Sequence, residues 1–132
     1  MSDNPPADRR YTKEHEWALP GGGEVTVGIT AFAVEQLGDV TLVNIDVKPG
    51  DELATGKAFG TIESVKTLSD LYCPIGGKVV RVNGDLTGKP ELVNEDCYGK
   101  AWMIAIAPRD PKEVEGLMKH DAYADFVKSA AH

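Results

Sequence analysis

Apolar and polar positions alternate along most of the chain in short runs of period two, the pattern of half-buried β-strands. Residues 11–20 (YTKEHEWALP) form the first such run, closed by Pro20 and the glycines that follow. Residues 24–29 (EVTVGI) alternate with β-branched residues and predict a second strand. Thr30 is placed to cap a short helix, AFAVEQL, that Gly38 can end in a left-handed conformation. Residues 39–47 (DVTLVNIDV) predict another strand, and the KPGD that starts at Lys48 fits a type II turn. KAFGTIES and TLSDLYC predict two strands with Lys66 between them. After a turn over residues 74–77, GGKVVRVN predicts the next. Residues 83–94 read as loop with one short helical turn, Pro90 in its first position. A last strand lies in YGKAWMIAIAP, with Trp102, Ile104 and Ile106 on one face.

Beyond residue 109 the period changes. Asp110, Pro111 and Glu113 have the order of a helix start, and Val114, Leu117 and Met118 form its apolar stripe. Asp121 starts a second helix with Tyr123, Phe126, Val127 and Ala130 on one side. Both stripes are expected to face a core. Many short strands, one internal helix and a helical tail predict a mostly β protein, an antiparallel barrel-like sandwich with appended helices. Residues 1–10 are expected to be a frayed tail, and residues 11–132 a single domain with a helical extension over about 110–130.

Composition narrows the function classes. The chain has 132 residues, 42% hydrophobic, enough for one domain with its own core. A net charge of -7 argues against nucleic acid as a partner. No apolar run reaches membrane-spanning length, and the polar N-terminus has no signal-peptide pattern. The reading is a cytoplasmic bacterial protein, or a mitochondrial one from which a transit peptide has been removed, and a monomer. Cys73 and Cys97 form no CxxC pair and are read as free thiols. His15, His120 and His132 lack metal-ligand spacing, so no metal is expected.

The position with a chemical claim is Lys66. A hairpin tip normally takes Gly, Asn, Asp or Pro, yet here it holds Ser64, Val65 and Lys66. Strands on both sides would fix where the amine projects. No Ser/His/Asp set, Gly-rich phosphate loop or metal cluster accompanies it, so the chain offers an amine without machinery to use it. That combination suits an attachment point for a group that carries the chemistry. Gly50 precedes Lys66 by 16 residues and Gly77 follows it by 11, a spacing that strengthens the reading.

The segment ESVKTLSDLYCPIGGKVVRVN resembles the lipoyl-attachment segment of the glycine cleavage system H protein family. YTKEHEW, VGIT, QLGD, ELVNED and GKAWMIAI match the same family in the same order. The resemblance implies a barrel-sandwich hybrid fold, lipoyl/biotinyl-domain-like, with lipoic acid in amide linkage on Lys66. It implies a non-catalytic carrier served by glycine decarboxylase, aminomethyltransferase, dihydrolipoyl dehydrogenase and a lipoylating enzyme. Glu63, with Ser64 and Val65, would be read by the lipoylating enzyme; the competing role for Glu63 is to blunt a strand edge. Glu16, Ile29, Leu37 and Asp70 match positions around a cleft in which the loaded arm docks, the carboxylates pairing with its ammonium. The competing role for Glu16 and Asp70 is ordinary edge-strand charge. Gln36 lies in the cleft-forming helix without an assigned contact. Two positions depart from the family pattern: Cys73 stands where Ser or Ala is common, and Cys97 where Pro is typical.

Other carriers and other classes remain open at this point. A biotinyl domain would place methionines beside the lysine, where this chain has Val65 and Thr67. A lipoyl relay to other complexes, or an interaction module of the same fold without the modification, are the alternatives to glycine cleavage. An enzyme in its own right lacks a general base and nucleophile set.

Overall fold

The computed structural model describes residues 5–130. Among the described residues nine strands and five helices follow one another. They are β1 (Arg10–Tyr11), β2 (Glu16–Gly21), β3 (Glu24–Ile29), α1 (Ala31–Leu37), β4 (Val40–Ile45), β5 (Glu52–Leu53), β6 (Ala58–Ser64) and β7 (Leu68–Tyr72). The remainder is β8 (Gly77–Val82), α2 (Asp85–Gly88), α3 (Leu92–Glu95), β9 (Ile104–Pro108), α4 (Lys112–Glu115) and α5 (His120–Ala130). Every strand pairing is antiparallel. A six-stranded sheet runs β1-β2-β3-β9-β8-β5 and a three-stranded sheet runs β4-β6-β7. This is the mostly β sandwich with appended helices that the alternation predicts.

The alternation works because one side of each sheet faces a shared core. Val25, Val27, Val79, Ile104 and Ile106 from the large sheet meet Val43, Phe59, Ile62 and Leu71 from the small one. A second cluster, Tyr11, Trp17, Phe32, Tyr123 and Val127, lies where α5 packs on β1 and β2. Removing such side chains from water is worth about 1.5–3 kcal/mol each. That burial drives the two sheets together and seats α5.

Several expectations change. The run over residues 11–20 is two strands, because Thr12 to His15 turn the chain: the His15 amide donates to the Thr12 carbonyl (3.1 Å) and His15 sits at φ 69°. Pro20 does not end a strand but lies inside β2 opposite Val25. It is tolerated there because β1 pairs only as far as Ala18, so no partner needs its missing N–H. Packed structure also begins before residue 11. The Arg9 guanidinium lies 4.6 Å from the Trp17 ring centroid, and Arg10 pairs with Ala18. Trp102 does not share the face of Ile104 and Ile106: it precedes β9, and Arg81 covers its ring at 5.0 Å. Residues 83–94 hold two short helical turns where one was expected, and Pro90 lies outside both. Gly38 has φ 78° but ψ -148°, which is not the left-handed helical conformation expected of it.

The helical extension starts as patterned, but α4 ends at Glu115, so of the expected stripe only Val114 is helical and Met118 instead pairs with Tyr11. The Asp110 carboxylate accepts from the Lys112 amide (3.1 Å) at the start of α4. Glu113 does not fold back on its own helix: it accepts from the Thr55 hydroxyl (2.6 Å) and the Gly76 amide (3.1 Å), tying α4 to the sheet corner. Tyr123 and Val127 are buried as the stripe predicts, and the side chain of Ala130 lies outside the described residues. The KPGD turn closes with the Asp51 amide donating to the Lys48 carbonyl (3.1 Å) and Gly50 at φ 100°.

Candidate functional site

β6 and β7 form a hairpin whose last paired residues are Glu63 and Leu68, with the tip at Val65 and Lys66. Ser64 closes it. Its amide donates to the Thr67 carbonyl (2.8 Å), and its hydroxyl oxygen accepts from the Lys66 and Thr67 amides (3.2 Å each). A side-chain turn of this kind makes the turn without glycine or asparagine. Among the described residues only His15 has positive φ without being glycine, so Val65 and Lys66 keep ordinary backbone angles. The Val65 amide donates to the Asp39 carbonyl (3.1 Å), which fastens the tip to the chain leaving α1. Lys66 is exposed. Ser64, expected to serve recognition, is buried and builds the turn.

Asn94 of α3 braces this junction. Its amide oxygen accepts from the Val40 amide and its amide nitrogen donates to the Gly38 carbonyl, both at 2.9 Å. The brace was not identified from sequence, although Asn94 stands in the quoted ELVNED. Gly38 is required here, since φ 78° with ψ -148° is a region that side chains avoid. A Cβ there would also lie 3.4 Å from Cε of Lys66, so the lysine chain runs directly over this glycine.

Beside the hairpin is a cleft of about 180 Å³ between β2, α1 and β7. Glu16, Ile29, Leu37 and Asp70 all line it, so the structure brings together the four residues expected around a cleft. Gln36 lines it too, with Ala33 on the same helix. Glu14, His15, Ile62, Thr67, Ser69 and Leu71 complete the wall without having been predicted. The wall is mostly apolar, with Ile29 and Leu37 buried behind it.

Glu16 is the buried carboxyl of the site, at 2% exposure. Its carboxyl accepts from the Thr12 hydroxyl (2.8 Å) and from the Tyr72 amide (3.3 Å) on β7. Those bonds favour the ionised form, but loss of water outweighs them and pushes the carboxyl up to about 8. Glu16 is not an edge-strand charge, since β2 lies between β1 and β3. Asp70 is exposed on β7, the outer strand of the small sheet, where the Tyr72 hydroxyl donates to it (3.3 Å). Glu63 lies on β6, the central strand of that sheet, so it does not blunt an edge. It stands in one cross-strand row with Leu42 and Leu68, both exposed, beside exposed Val65.

The two thiols are free, Cys73 buried and Cys97 half-buried. Cys73 is buried, its S–H donates to the Ile75 carbonyl, and burial pushes the thiol up to about 11. Burial raises Cys97 to about 11 as well. Among the described residues no helix is long and apolar enough to cross a membrane.

The arrangement is therefore a rigidly presented primary amine, an apolar path across Gly38, and a cleft with one buried carboxyl. The family model described as Glycine cleavage H-protein matches residues 9–130. The chain is 52% identical over 124 residues to a glycine cleavage system H protein of Anaeromyxobacter sp., covering 93% of this chain and 95% of that one. It is 50% identical over 123 residues to the glycine cleavage system H protein of Bacillus licheniformis, covering 93% and 96%. A crystal structure of a glycine cleavage system H protein from Mycobacterium marinum superposes with a TM-score of 0.84 at 37% identity, covering 93% of this chain and 98% of that one. On the family match and on identity over nearly the whole chain, this protein belongs to the glycine cleavage H-protein family.

Proposed function

We propose that this chain is the lipoyl-bearing carrier of the glycine cleavage system, with lipoic acid on the amine of Lys66. The observation that carries the proposal is the tip geometry: Lys66 is exposed on a hairpin closed by Ser64 and anchored through Val65. Acylating the lysine amine removes its charge, leaving an arm whose apolar stem can follow the path over Gly38. When bound, the lipoyl group supplies a disulfide that accepts an aminomethyl group from glycine and the accompanying electrons.

The chain's own residues then hold and shield. Ile29 and Leu37, which line the cleft, would cover the arm and keep water from it, and Glu16 and Asp70 would face its ammonium. Glu16 is largely protonated at neutral pH in the empty cleft, because burial raises it. An ammonium beside it favours the carboxylate, so docking a cation draws a proton off Glu16. The cleft thus holds the cation more tightly as pH rises toward and past about 8, where the carboxylate no longer costs a deprotonation.

Glu63, Val65 and the exposed Leu42 and Leu68 form the face that the lipoylating enzyme reads beside the amine. The partners that follow are glycine decarboxylase, aminomethyltransferase and dihydrolipoyl dehydrogenase, visited in turn by one tethered group. The carrier is a cytoplasmic component without catalysis of its own. Glycine–bicarbonate exchange with purified glycine decarboxylase tests this. Exchange should depend on the lipoylated chain and vanish with Lys66→Arg. Exchange of equal rate with the Lys66→Arg chain overturns the proposal.

A further inference from the structure

Among the described residues helix α5 contributes none to the cleft, yet it is bonded to two of the three segments that form the cleft's walls, the turn before β2 and the start of α1. The Tyr123 hydroxyl lies 2.8 Å from His15 Nδ1 and 2.7 Å from Thr30 Oγ1. His15 lines the cleft and directly precedes Glu16. Thr30 caps α1, whose Ala33, Gln36 and Leu37 form the opposite wall, and its hydroxyl oxygen accepts from the Ala33 amide (3.3 Å). The Thr30 amide also donates to the His15 carbonyl (3.0 Å). One proton order satisfies the whole chain: Thr30 donates to Tyr123, and Tyr123 donates to Nδ1 of a neutral His15.

Three observations say that this contact holds something in place. Tyr123 is fully buried and its ring stacks on Tyr11 at 4.7 Å, so its hydroxyl is delivered from a fixed point. His15 occupies a positive φ of 69°, a conformation that a residue other than glycine keeps only when its surroundings impose it. Phe32 and Phe126 flank the imidazole at 4.6 and 5.8 Å, closing it in from α1 and α5.

We propose that Tyr123 is a positioning residue of the cleft: its hydroxyl latches the His15 turn to the start of α1, and so sets how firmly the cleft holds a loaded arm. This rests on the carrier reading above, and the experiment separates the two. The comparison is between the wild-type chain and Tyr123→Phe, which keeps the stacked ring and deletes the latch.

The first measurement needs no cofactor. In the unmodified chain, amide hydrogen exchange at Thr30, Val34 and Gly38 should rise about three- to tenfold in Tyr123→Phe, the scale of one lost hydrogen bond. The Tyr11 amide, bonded to the Met118 carbonyl, and the Val79 amide, bonded to the Asp51 carbonyl, should keep their wild-type rates. That would show that α5 stays docked. Thr30→Ser, which retains the hydroxyl, should exchange like the wild type.

The second measurement uses lipoylated chain charged by glycine decarboxylase and glycine. Spontaneous formaldehyde release into water should be severalfold faster from Tyr123→Phe. Equal exchange in the two chains overturns the latch. Faster exchange with equal release overturns its control of the arm. A wild-type chain that accepts no lipoate overturns the carrier reading and, with it, any hold on an arm. Should Tyr123→Phe not fold, Thr30→Val deletes the Thr30 half of the contact together with the cap bond to Ala33, so it is compared at the residue 30 amide, which the cap does not hold, and in the release assay.

Discussion

The residue that does most to define the cleft is Glu16. Sequence placed it in HEW and matched it to a cleft position, but its burial depends on a partner 56 residues away, the Tyr72 amide, and no local pattern records that. Burial raises Glu16 from 4.5 to about 8, and the sign follows. The folded chain prefers the protonated form, so the contribution of Glu16 is fully present below about 4.5 and is lost as pH rises through about 8. Across that window wild-type stability should fall relative to Glu16→Gln, by about 1.4 kcal/mol per pH unit at the steepest. Urea denaturation of both chains at pH 5 and pH 8 checks it, and parallel stabilities would contradict the assignment. Gly38 makes a different demand. Gly38→Ala should cost about 1–3 kcal/mol through its backbone angles. The added methyl would meet Lys66 Cε at 3.4 Å, a distance the lysine can accommodate. Lipoylation of the folded fraction should therefore survive, as intact mass would show.

At the scale of elements, the β6–β7 hairpin is held by neighbours more than by its own turn. Ser64 closes the tip, Asp39 receives its Val65 amide, and Asn94 fastens residues 38–40 to α3. Replacing Asn94 by Ala removes both of its bonds to that segment. The expected loss is about 1–3 kcal/mol, with faster amide exchange at Val40 and Val65 and none at Val79. Uniform exchange would mean that Asn94 supports the fold at large and not the tip. The strands themselves were legible because their alternation is imposed by burial on one face, as Val25, Val27, Ile104 and Ile106 show. The break at residues 12–15 was not legible, because a positive φ at a histidine has no signature in sequence. Pro20 misled for a related reason: whether a proline ends a strand depends on whether the neighbouring strand reaches that far, and β1 stops short.

At the scale of the whole molecule, two antiparallel sheets close over one core, and the helical tail packs on a second, aromatic one. The strand pattern already contained the first of these. The second was half-visible: the stripe of Tyr123, Phe126 and Val127 announced a buried face, but not that its hydroxyl would reach Thr30 and His15. The exposed place of Lys66 at a hairpin tip was legible, and the cleft was illegible where distant elements meet, as at Ser69, Thr67 and His15. On the proposed function the whole arrangement has a single chemical point, an amine presented for acylation by another enzyme. Intact-mass spectrometry, on chain incubated with lipoate, ATP and a competent lipoylating enzyme, tests that most directly. The account predicts one lipoyl increment, mapped by peptide fragmentation to Lys66 and absent from Lys66→Ala. A wild-type chain that keeps its bare mass, or an increment mapped to another lysine, would contradict it.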